Sequence, residues 1–555
     1  MIGIITEKEN NKIVTEFFQL FKTPWEFYQK GHSYDVIFTT GELNEDLNVR
    51  IIVIFGSDIK KVDSKYNITL ETITEKVILN YNNILFPIYK GIATFKTEKK
   101  PIIKIEGSSR HSGIEITTNE PRRIRIGYNL FEELEYILTS GQPKKYATIP
   151  TVEIHIQILR DLIIQSGLPF IEIPPVPEGY DFITCLTHDV DFGGIRNYKF
   201  DHTMYGFIYR SLFVSIINFF KKKITYKKLL TNLKAAFSLP CVYLGLIKDF
   251  WIDFYQYIEI EKDLKSTYFF LPYKKQRGMI DGRRAPSRRA SKCDILDLKS
   301  YVEDLKSQGH EIGLHGIDAW HDTNKGVEEF SRISTIAGIS EIGVRIHWLY
   351  FNEDSPMELE KAGFYYDTTI GYNDAVGYAA GTTQVFCPLR VERLFEIPMH
   401  IMDTALFYTG RMALREEQAI LLCTNLINNS VNYGGVLVIN WHQRSLAPER
   451  LWVDFYIRLI NLLKEHRVWF ATCEEAVRWF EQRRKVQFED IRFVDKTIKL
   501  RLTCGDAFIK PGMTVRIYNL TSEKLQHPDM AKGIKSFIDI PCEINKDIEI
   551  NFPNL

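Results

Sequence analysis

Phe182-Ile183-Thr184-Cys185-Leu186-Thr187 is a continuous apolar and β-branched run, and His188-Asp189-Val190-Asp191 follows it directly. Such a run is typical of a strand buried on both faces of a parallel sheet. In parallel α/β folds the chemistry collects where the strands end. Asp189 and Asp191, one residue apart in a loop, can therefore point into one cleft, where one holds a metal ion and the other acts as a base. The alternative is an Asx turn, in which either carboxylate bonds its own backbone.

Strand and helix patterns alternate over roughly 300 residues from this point, which predicts an α/β fold with a parallel sheet or barrel. An Asp294 cap begins one helix, which ends near Gly309, and residues 311–315 form the next strand. Residues 435–440 form a further buried strand, and a helix over 473–482 follows it. The candidate catalytic residues lie where these strands end: Asp189, Asp191, His315, Arg345, Asp367 and His442.

The sequence predicts three domains. Residues 1–145 are typical of an N-terminal α+β domain, with a helix over roughly Asn11 to Tyr28 and no catalytic spacing. Residues 146–484 contain the (β/α) barrel, which a helical insert over about 199–253 interrupts. The short alternating strands of residues 485–555 predict a small β domain.

The composition excludes several classes of protein. Among 555 residues, 45% are hydrophobic and 25% are charged, and Lys plus Arg equals Asp plus Glu at 70 each. A balanced charge of this kind lacks the basic footprint of a nucleic-acid-binding protein. Eight cysteines without a CxxC pair argue against a disulfide scaffold and favour a reducing compartment. Without an apparent signal peptide or membrane span, we expect a cytoplasmic protein.

A second candidate segment runs from Gly309 to Asp322 and reads Gly-His-Glu-Ile-Gly-Leu-His-Gly-Ile-Asp-Ala-Trp-His-Asp. It is dense in imidazole and carboxylate groups, the ligands that suit zinc and other divalent transition metals. His315 ends the predicted strand and is the candidate ligand, whereas His310 begins that strand and is predicted to be structural. The alternative for His315 is a hydrogen-bonded core histidine.

Two further motifs carry an arginine and a histidine. Val438-Ile439-Asn440-Trp441-His442-Gln443-Arg444-Ser445 places His442 just past a buried strand, where a histidine is the commonest general acid or base. Its alternative is packing against Trp441. Arg345, in Gly343-Val344-Arg345-Ile346-His347-Trp348, is predicted to pair with a carboxylate, for structure or for catalysis. His400 and Asp403 are candidates for either kind of role.

In chain order these motifs resemble the polysaccharide deacetylase superfamily, the NodB-like group also called carbohydrate esterase family 4. The resemblance covers about Phe182 to Arg484, apart from the insert. Gly-x-His-Gly-x-Asp-Ala-Trp and Asn-Trp-His-x-Arg-Ser are similar to a bacterial polysaccharide deacetylase-like subgroup with an added N-terminal domain. The resemblance implies a distorted (β/α) barrel with fewer than eight complete units. It also implies a divalent metal used to hydrolyse N-acetyl groups on sugar polymers.

The resemblance implies a role for each matching residue. Asp189 is expected to be the general base, which Arg345 orients, and Asp191 and His315 are expected to bind the metal. His442 is expected to be the general acid that protonates the leaving amine, and Asp367 to tune it. The expected cofactor is zinc, with manganese, cobalt or nickel as alternatives, and it activates the attacking water. The residues predicted to bind substrate are Trp320, His347, Trp348, His400, Asp403, Trp441 and Arg444.

The sequence departs from the family pattern at two places. The family's second histidine, four residues after the first, falls on Ala319. Asp318 and His321 flank that position, and we expect Asp318 to supply the third ligand because its carboxylate still reaches the strand-end cleft. An Asp/His/Asp site contains harder ligands than the usual Asp/His/His site, and such ligands would favour a metal other than zinc. The arginine motif also lacks the proline that usually stands two residues after Arg345.

The insert carries an apolar stretch, residues 211–220, followed by Lys-Lys-Lys-Ile-Thr-Tyr-Lys-Lys at 221–228. Such a segment can lie on an anionic membrane surface, which would place a cytoplasmic protein at the inner face of the membrane. The alternative is a helix packed on the barrel with a solvated basic face.

The leading hypothesis is a metal-dependent hydrolase that removes an N-acetyl group from a cell-envelope saccharide or a glycan precursor. A second hypothesis keeps the site but assigns it another non-peptide C–N bond. A third is a catalytically inactive barrel that binds glycan, which Ala319 favours. The expected partner is therefore a saccharide and not a nucleic acid, and the oligomeric state stays open.

Overall fold

The computed structural model describes residues 1–43, 47–73, 77–118, 120–222, 224–252, 254–494, 497–505, 510–518 and 537–551. The chain forms two compact units. The first unit comprises Met1–Gly179, Ala380–Leu389 and Arg478–Leu555. The second unit comprises Tyr180–Ala379 and Arg390–Val477. Both units therefore contain segments that are far apart in the sequence.

The first 179 residues contain most strands of the first unit. The strands are β1 (Ile2–Ile5), β2 (Trp25–Phe27), β3 (Val36–Thr39), β4 (Ile51–Phe55), β5 (Thr69–Ile73), β6 (Val77–Tyr81), β7 (Ile84–Ile88), β8 (Ile92–Lys96), β9 (Lys100–Ile105), β10 (His111–Thr117), β11 (Arg122–Ile126) and β12 (Phe170–Glu172). The helices are α1 (Asn11–Leu20), α2 (Lys61–Lys65), α3 (Leu130–Ser140) and α4 (Thr151–Ile164).

The remaining strands are β13 (Phe182–Val190), β14 (Ser266–Phe270), β15 (Met279–Ile280), β16 (Arg283–Arg284), β17 (Glu311–Gly316), β18 (Gly343–Ile346), β19 (Tyr366–Asp367), β20 (Phe395–Glu396), β21 (Met399–Met402), β22 (Val436–Asn440), β23 (Val468–Phe470), β24 (Gln487–Val494), β25 (Thr497–Thr503), β26 (Thr514–Tyr518), β27 (Phe537–Pro541) and β28 (Asp547–Asn551). The helices are α5 (His202–Tyr209), α6 (Ser215–Phe220), α7 (Tyr226–Tyr243), α8 (Phe254–Ile260), α9 (Lys299–Ser307), α10 (Thr323–Ala337), α11 (Ser355–Ala362), α12 (Asp403–Phe407), α13 (Glu416–Tyr433), α14 (Val453–Lys464) and α15 (Cys473–Lys485).

The first unit is built on a mixed sheet. Parallel pairing joins β2, β1, β3, β4 and β11 in that order, and antiparallel pairing continues through β10, β9, β6 and β7. Helix α1 buries Val14 and Phe17 completely. It ends at Leu20 and not near Tyr28 as the sequence predicted, because the chain turns at Pro24 into β2, which pairs with β1.

The three predicted domains divide the chain differently from these two units. Strand β12, from the segment before the barrel, pairs antiparallel with β26 of the predicted C-terminal domain. Arg483 of α15 donates to the Ile173 carbonyl oxygen at 2.7 Å, within the first unit. Backbone pairing and buried hydrogen bonds therefore join both ends of the described chain into one unit.

The second unit confirms the predicted α/β fold. Its strands run in the order β20-β19-β18-β17-β14-β13-β22-β21, every neighbouring pair is parallel, and β23 also pairs with β13. Among the described residues, β20 and β21 stay at the two ends of this order, so the sheet is an open half-barrel. All nine residues of β13 are buried, as a near-central parallel strand requires. Asp294 caps the following helical segment by accepting hydrogen bonds from the backbone N–H groups of Leu296 and Asp297.

The insert is helical as the sequence predicted. Helix α5, a π turn (Arg210–Val214) and α6 form one continuous helix, and α7 packs against it. A hydrophobic cluster that includes Phe207, Val242 and Trp251 holds these helices to the second unit. Lys223 and Asp253 lie outside the described residues. In the described part of the chain, no helix combines the length and apolar character needed to cross a bilayer.

Candidate active site

Polar side chains converge where neighbouring strands of the second unit end. Strand β13 carries Asp189 and leads to Asp191, β17 carries His315, and β18 carries Arg345. His442 lies two residues past the end of β22. Because these strands are parallel members of one sheet, with only β14 between β17 and β13, their carboxyl ends meet at one edge of the sheet. The predicted grouping of these five residues is present in the structure.

Asp191, His315 and His347 form a compact cluster. His315 Nε2 lies 3.3 Å from Asp191 Oδ1, and His347 Nδ1 lies 3.2 Å from the same oxygen. The two facing nitrogens, His347 Nδ1 and His315 Nε2, are 2.8 Å apart. All three residues have the donor types that hold transition metals.

The hydrogen bonds of the two rings identify which nitrogens carry protons. His315 Nδ1–H donates to the Arg345 carbonyl oxygen at 3.0 Å, and His347 Nε2–H donates to the Arg289 carbonyl oxygen at 3.1 Å. Burial lowers the pKa of His347, which favours its neutral ring. In the neutral rings the two facing nitrogens are therefore both acceptors.

Asp191 Oδ1, His315 Nε2 and His347 Nδ1 are thus three acceptor atoms that face one another, and none of them carries a proton. Asp191 Oδ1 is buried and has no hydrogen-bond partner among the described residues. Converging lone pairs repel one another unless a cation lies between them. The donor set and its spacing therefore fit a small divalent metal ion.

The third member of this cluster differs from the sequence prediction. Asp318 Oδ1 accepts a hydrogen bond from the Met279 backbone N–H at 2.8 Å and contacts His321 Nε2 at 3.2 Å. These contacts direct Asp318 and His321 toward each other and toward the Met279 loop. The structure instead places His347, which was predicted to bind substrate, beside Asp191 and His315.

Asp189 is held by two side chains. Its Oδ1 accepts from Arg345 Nη1 at 3.0 Å, and its Oδ2 accepts from Asn440 Nδ2 at 2.7 Å. Burial disfavours the charged form, but the Arg345 guanidinium lowers the pKa of Asp189 below its ordinary value. Arg345 also donates to Thr187 Oγ1 at 2.7 Å, so the guanidinium is itself fixed. Asp189 is therefore an oriented, ionised carboxylate.

His442 pairs with Asp403. His442 Nδ1 lies 2.7 Å from Asp403 Oδ1, and the His442 backbone N–H donates to Asp403 Oδ2 at 2.7 Å. The other ring nitrogen, Nε2, lies 4.0 Å from Asp189 Oδ2 and 3.9 Å from Asp191 Oδ2. Burial opposes protonation, but Asp403, Asp191 and Asp189 raise the pKa of His442 to about 10.

The prediction that Asp367 tunes His442 does not match the geometry. Asp367 accepts a hydrogen bond from Thr369 Oγ1 at 2.5 Å, and burial raises its pKa to about 7. It lies on β19, which four strands separate from β22. Asp403 holds the position beside His442 instead, because it follows β21, the direct neighbour of β22.

The other residues predicted to bind substrate have different surroundings. Trp348 is partly exposed, and the Arg288 guanidinium lies 5.4 Å from its ring centroid. Trp320 is nearly buried and packs against His321 and Tyr350. Three more are buried in packing or ion-pair contacts, namely His400 against Tyr378, Trp441 against Tyr456, and Arg444 against Trp251 and Glu449. Trp320 and Trp348 stand on the segments that follow β17 and β18.

Sequence reasoning missed Asn440 and the carbonyl oxygen of Arg289. Asn440 stands in the quoted Asn440-Trp441-His442 string at the end of β22, and its position on a strand end was the available signal. The Arg289 carbonyl orients His347 across 58 positions of sequence, for which the sequence carried no signal.

Comparisons with known proteins give structural matches only. No family model matches the sequence, and no curated protein matches it either. A protein from Pseudomonas aeruginosa PAO1 assigned as a polysaccharide deacetylase matches with 16% identity and a TM-score of 0.35, covering 56% of this chain and 94% of its own. A protein from Mycobacterium smegmatis with the same assignment matches with 17% identity and a TM-score of 0.33, covering 55% of this chain and 94% of its own. An allantoinase matches with 14% identity and a TM-score of 0.34, covering 55% of this chain and 92% of its own.

The matching structures therefore include polysaccharide deacetylases, the family that the sequence motifs resemble. The chemistry of this chain rests on the geometry of its own site.

Proposed function

We propose that this chain is a hydrolase that uses a divalent metal ion to remove an N-acetyl group from a saccharide of the cell envelope or from its precursor. The observation that carries the proposal is the Asp191, His315 and His347 cluster beside an oriented Asp189 and an Asp403-paired His442. Together these residues provide a ligand set, a base and an acid within one strand-end cleft.

Asp191 Oδ1, His315 Nε2 and His347 Nδ1 would hold the metal. An ion at this position supplies Lewis acidity toward an acyl oxygen and lowers the pKa of water. The two backbone carbonyls that accept from His315 and His347 keep each ring in the tautomer that presents a lone pair. A set of one carboxylate and two imidazoles suits zinc, with manganese, cobalt and nickel as alternatives.

Asp189 is the proposed general base. Its low pKa keeps the carboxylate ionised, and Arg345 and Asn440 fix the direction in which its lone pairs point. A base that is already oriented loses no rotational freedom when it accepts the proton of the attacking water. Arg345 is accordingly a positioning residue for Asp189.

His442 is the proposed general acid. Nδ1–H donates to Asp403, so the Nε2 proton is the one available for transfer. The raised pKa of His442 keeps this proton in place at neutral pH. When the C–N bond breaks, the leaving amine needs a proton, and Nε2 faces the same cleft as the two aspartates.

The alternative of an inactive glycan-binding barrel was based on Ala319. His347 stands beside Asp191 and His315 in the structure, so the missing histidine at position 319 no longer argues against a three-ligand site. The proposal that the bond cleaved is an N-acetyl amide, and not another non-peptide C–N bond, rests on the motif resemblance.

The test measures acetate release from N-acetylated oligosaccharides by the zinc-loaded protein, with simple amides as a parallel panel. We expect the unmodified protein to release acetate from the saccharides. The Asp189→Asn variant should release none while its metal content stays unchanged. Hydrolysis of the simple amides alone would show that the substrate is a non-saccharide amide and not an N-acetylated saccharide. No hydrolysis of either panel by a fully metal-loaded protein would overturn the proposal.

A further inference from the structure

The insert has a strongly one-sided charge. Residues 202–248 contain eight basic residues, at positions 210, 221, 222, 223, 227, 228, 234 and 248, and not one Asp or Glu. The whole chain is balanced at 70 charges of each sign, so this segment concentrates positive charge locally. Lys221, Lys222, Lys227 and Lys234 are exposed, and no carboxylate pairs with them among the described residues. Lys228 differs from them, because it pairs with Glu416 Oε1 at 2.8 Å. The insert therefore presents four exposed lysines that no described carboxylate neutralises.

The continuous helix through α5 and α6 exposes apolar side chains along one face, which we call the aromatic stripe. It consists of Tyr205, Tyr209, Phe213, Ile217 and Phe220, which are 48–78% exposed. Successive members are three or four positions apart, so they lie on the same side of the helix over about 22 Å. A solvated helix normally presents polar residues on its outer face.

The opposite face of this helix is the one that packs on the protein. Phe207, Ser211 and Ser215 are buried there, and Asn232 of α7 donates to Ser215 Oγ at 2.6 Å. The inner contacts fix which side faces outward. The aromatic stripe is therefore an outer surface of the folded insert and not an unpacked part of its core.

We propose that the aromatic stripe and its flanking lysines dock this protein on an anionic lipid surface, with the α5–α6 helix lying in the plane of the interface. Aromatic and aliphatic side chains at the headgroup boundary, with lysines beside them, are the pattern by which interfacial helices bind such membranes. Helix α7 also exposes two aromatic side chains, Tyr226 and Phe237, which stand near Lys227 and Lys234 in the sequence.

Charge complementarity selects a lipid surface over a second copy of the chain. A two-fold contact between stripes brings the same residues of both copies together. That contact would bring the exposed Lys221 and Lys222 of each copy close to those of the other, because residues 202–248 offer no carboxylate to pair with them. An anionic bilayer supplies negative charge and an apolar layer together.

The insert also adjoins the candidate active site within the second unit. Its hydrophobic cluster contains Trp251, and the Arg444 guanidinium lies 3.5 Å from the Trp251 ring centroid, two residues after His442. A docked insert would thus bring the loop after His442 near the lipid surface. The proposal does not depend on the proposed hydrolase activity.

The experiment measures flotation of the full chain with phosphatidylcholine vesicles, with and without phosphatidylglycerol. We expect binding only to the anionic vesicles, weakened by salt. Phe213→Ser with Phe220→Ser should lower binding about tenfold or more at every salt concentration, and Lys221→Glu with Lys222→Glu should lower it by a similar factor at low salt. The matched control, Ile59→Ser with Leu421→Ser, removes two equally exposed apolar side chains elsewhere and should leave binding unchanged.

The variants change exposed side chains, and thermal unfolding of each should match that of the unmodified protein. Absence of binding to anionic vesicles, or equal binding by the stripe variant, would overturn the proposal. A stripe variant that changes the sedimentation coefficient, with no vesicle binding by the unmodified chain, would assign the surface to self-association instead.

Discussion

His347 Nδ1 lies 2.8 Å from His315 Nε2, and each ring uses its other nitrogen to donate to a backbone carbonyl oxygen. Two neutral imidazoles in these tautomers face each other with lone pairs only. Only a shared proton or a bound cation makes that approach favourable. This relationship, with Asp191 beside it, identifies the candidate metal site more directly than the spacing of motifs in the sequence does.

The first prediction concerns the third ligand. His347→Ala should reduce bound metal from about one ion per chain to a small fraction, because metal sites with three protein ligands depend on each of them. His321→Ala is the matched control and should keep the metal, since His321 contacts Asp318 and not the cluster. Elemental mass spectrometry of both purified variants makes the measurement. Metal loss in His321→Ala with retention in His347→Ala would restore the sequence-based assignment.

The second prediction concerns how Asp189 is held. Asn440→Ala leaves Asp189 with the Arg345 contact alone, so we expect a smaller loss of kcat than in Asp189→Asn, where roughly 10²–10⁴-fold is expected for loss of a general base. Both variants should keep their metal. An Asn440→Ala variant with the activity of the unmodified protein would show that Arg345 alone is sufficient.

The third prediction concerns the pH dependence of hydrolysis. A general acid must be protonated, so activity should fall as pH rises through the pKa of His442, which lies at about 10 without a bound cation. Asp403→Asn removes the largest contribution that raises this pKa, so the alkaline limb of the kcat profile should move to lower pH. Asp367→Asn is the matched control and should leave that limb in place, because Asp367 contacts Thr369 and Glu396. An equal displacement in both variants would argue against the Asp403 assignment.

The fourth prediction concerns the stability of the first unit. Burial raises the pKa of Glu153 to about 7, although Thr382 and Thr383 donate to its Oε1. A raised carboxyl pKa means that the folded state binds the proton more tightly, so this group stabilises the fold below its ordinary pKa. That contribution is lost as pH rises toward 7. Glu153→Gln removes the ionisation and should stabilise the protein by at most about 3 kcal/mol above pH 7 relative to acid.

Denaturant unfolding at both pH values measures this difference. The unmodified protein is the reference at each pH, because other buried carboxyl groups with a raised pKa, such as Glu133 and Glu329, contribute equally to both proteins. An effect of Glu153→Gln that is the same at both pH values would contradict the assigned pKa.

Much of the site could be predicted from the sequence because strand ends are easy to recognise. Asp189, His315 and His442 each follow or end an apolar run, and parallel strands necessarily bring such ends to one edge. The α/β class followed from the same alternation. What this argument cannot supply is the order of strands in the sheet, which decides the partner of His442. Asp403 rather than Asp367 has that place because β21 and not β19 adjoins β22.

His347, the third member of the cluster, was missed for a different reason. His347 begins a 3₁₀ turn in which Trp348 has a positive φ of 66°, so the chain bends sharply just past β18. A backbone conformation of this kind is rare for a tryptophan, and no residue pattern announces it. Motif spacing therefore led to Asp318 and His321, which follow β17 in sequence but bond to each other and to the Met279 loop.

The pairing of β12 with β26 has a consequence for folding during synthesis on the ribosome. Tyr518 donates to Glu172 across 346 positions of sequence. At ordinary elongation rates of about 5–20 residues per second, the second partner is made roughly 20–70 seconds after the first. During that interval β12 lacks its partner strand β26. The first unit cannot complete its fold until these later strands have been translated. Chaperone demand during synthesis should accordingly peak before residue 518 emerges.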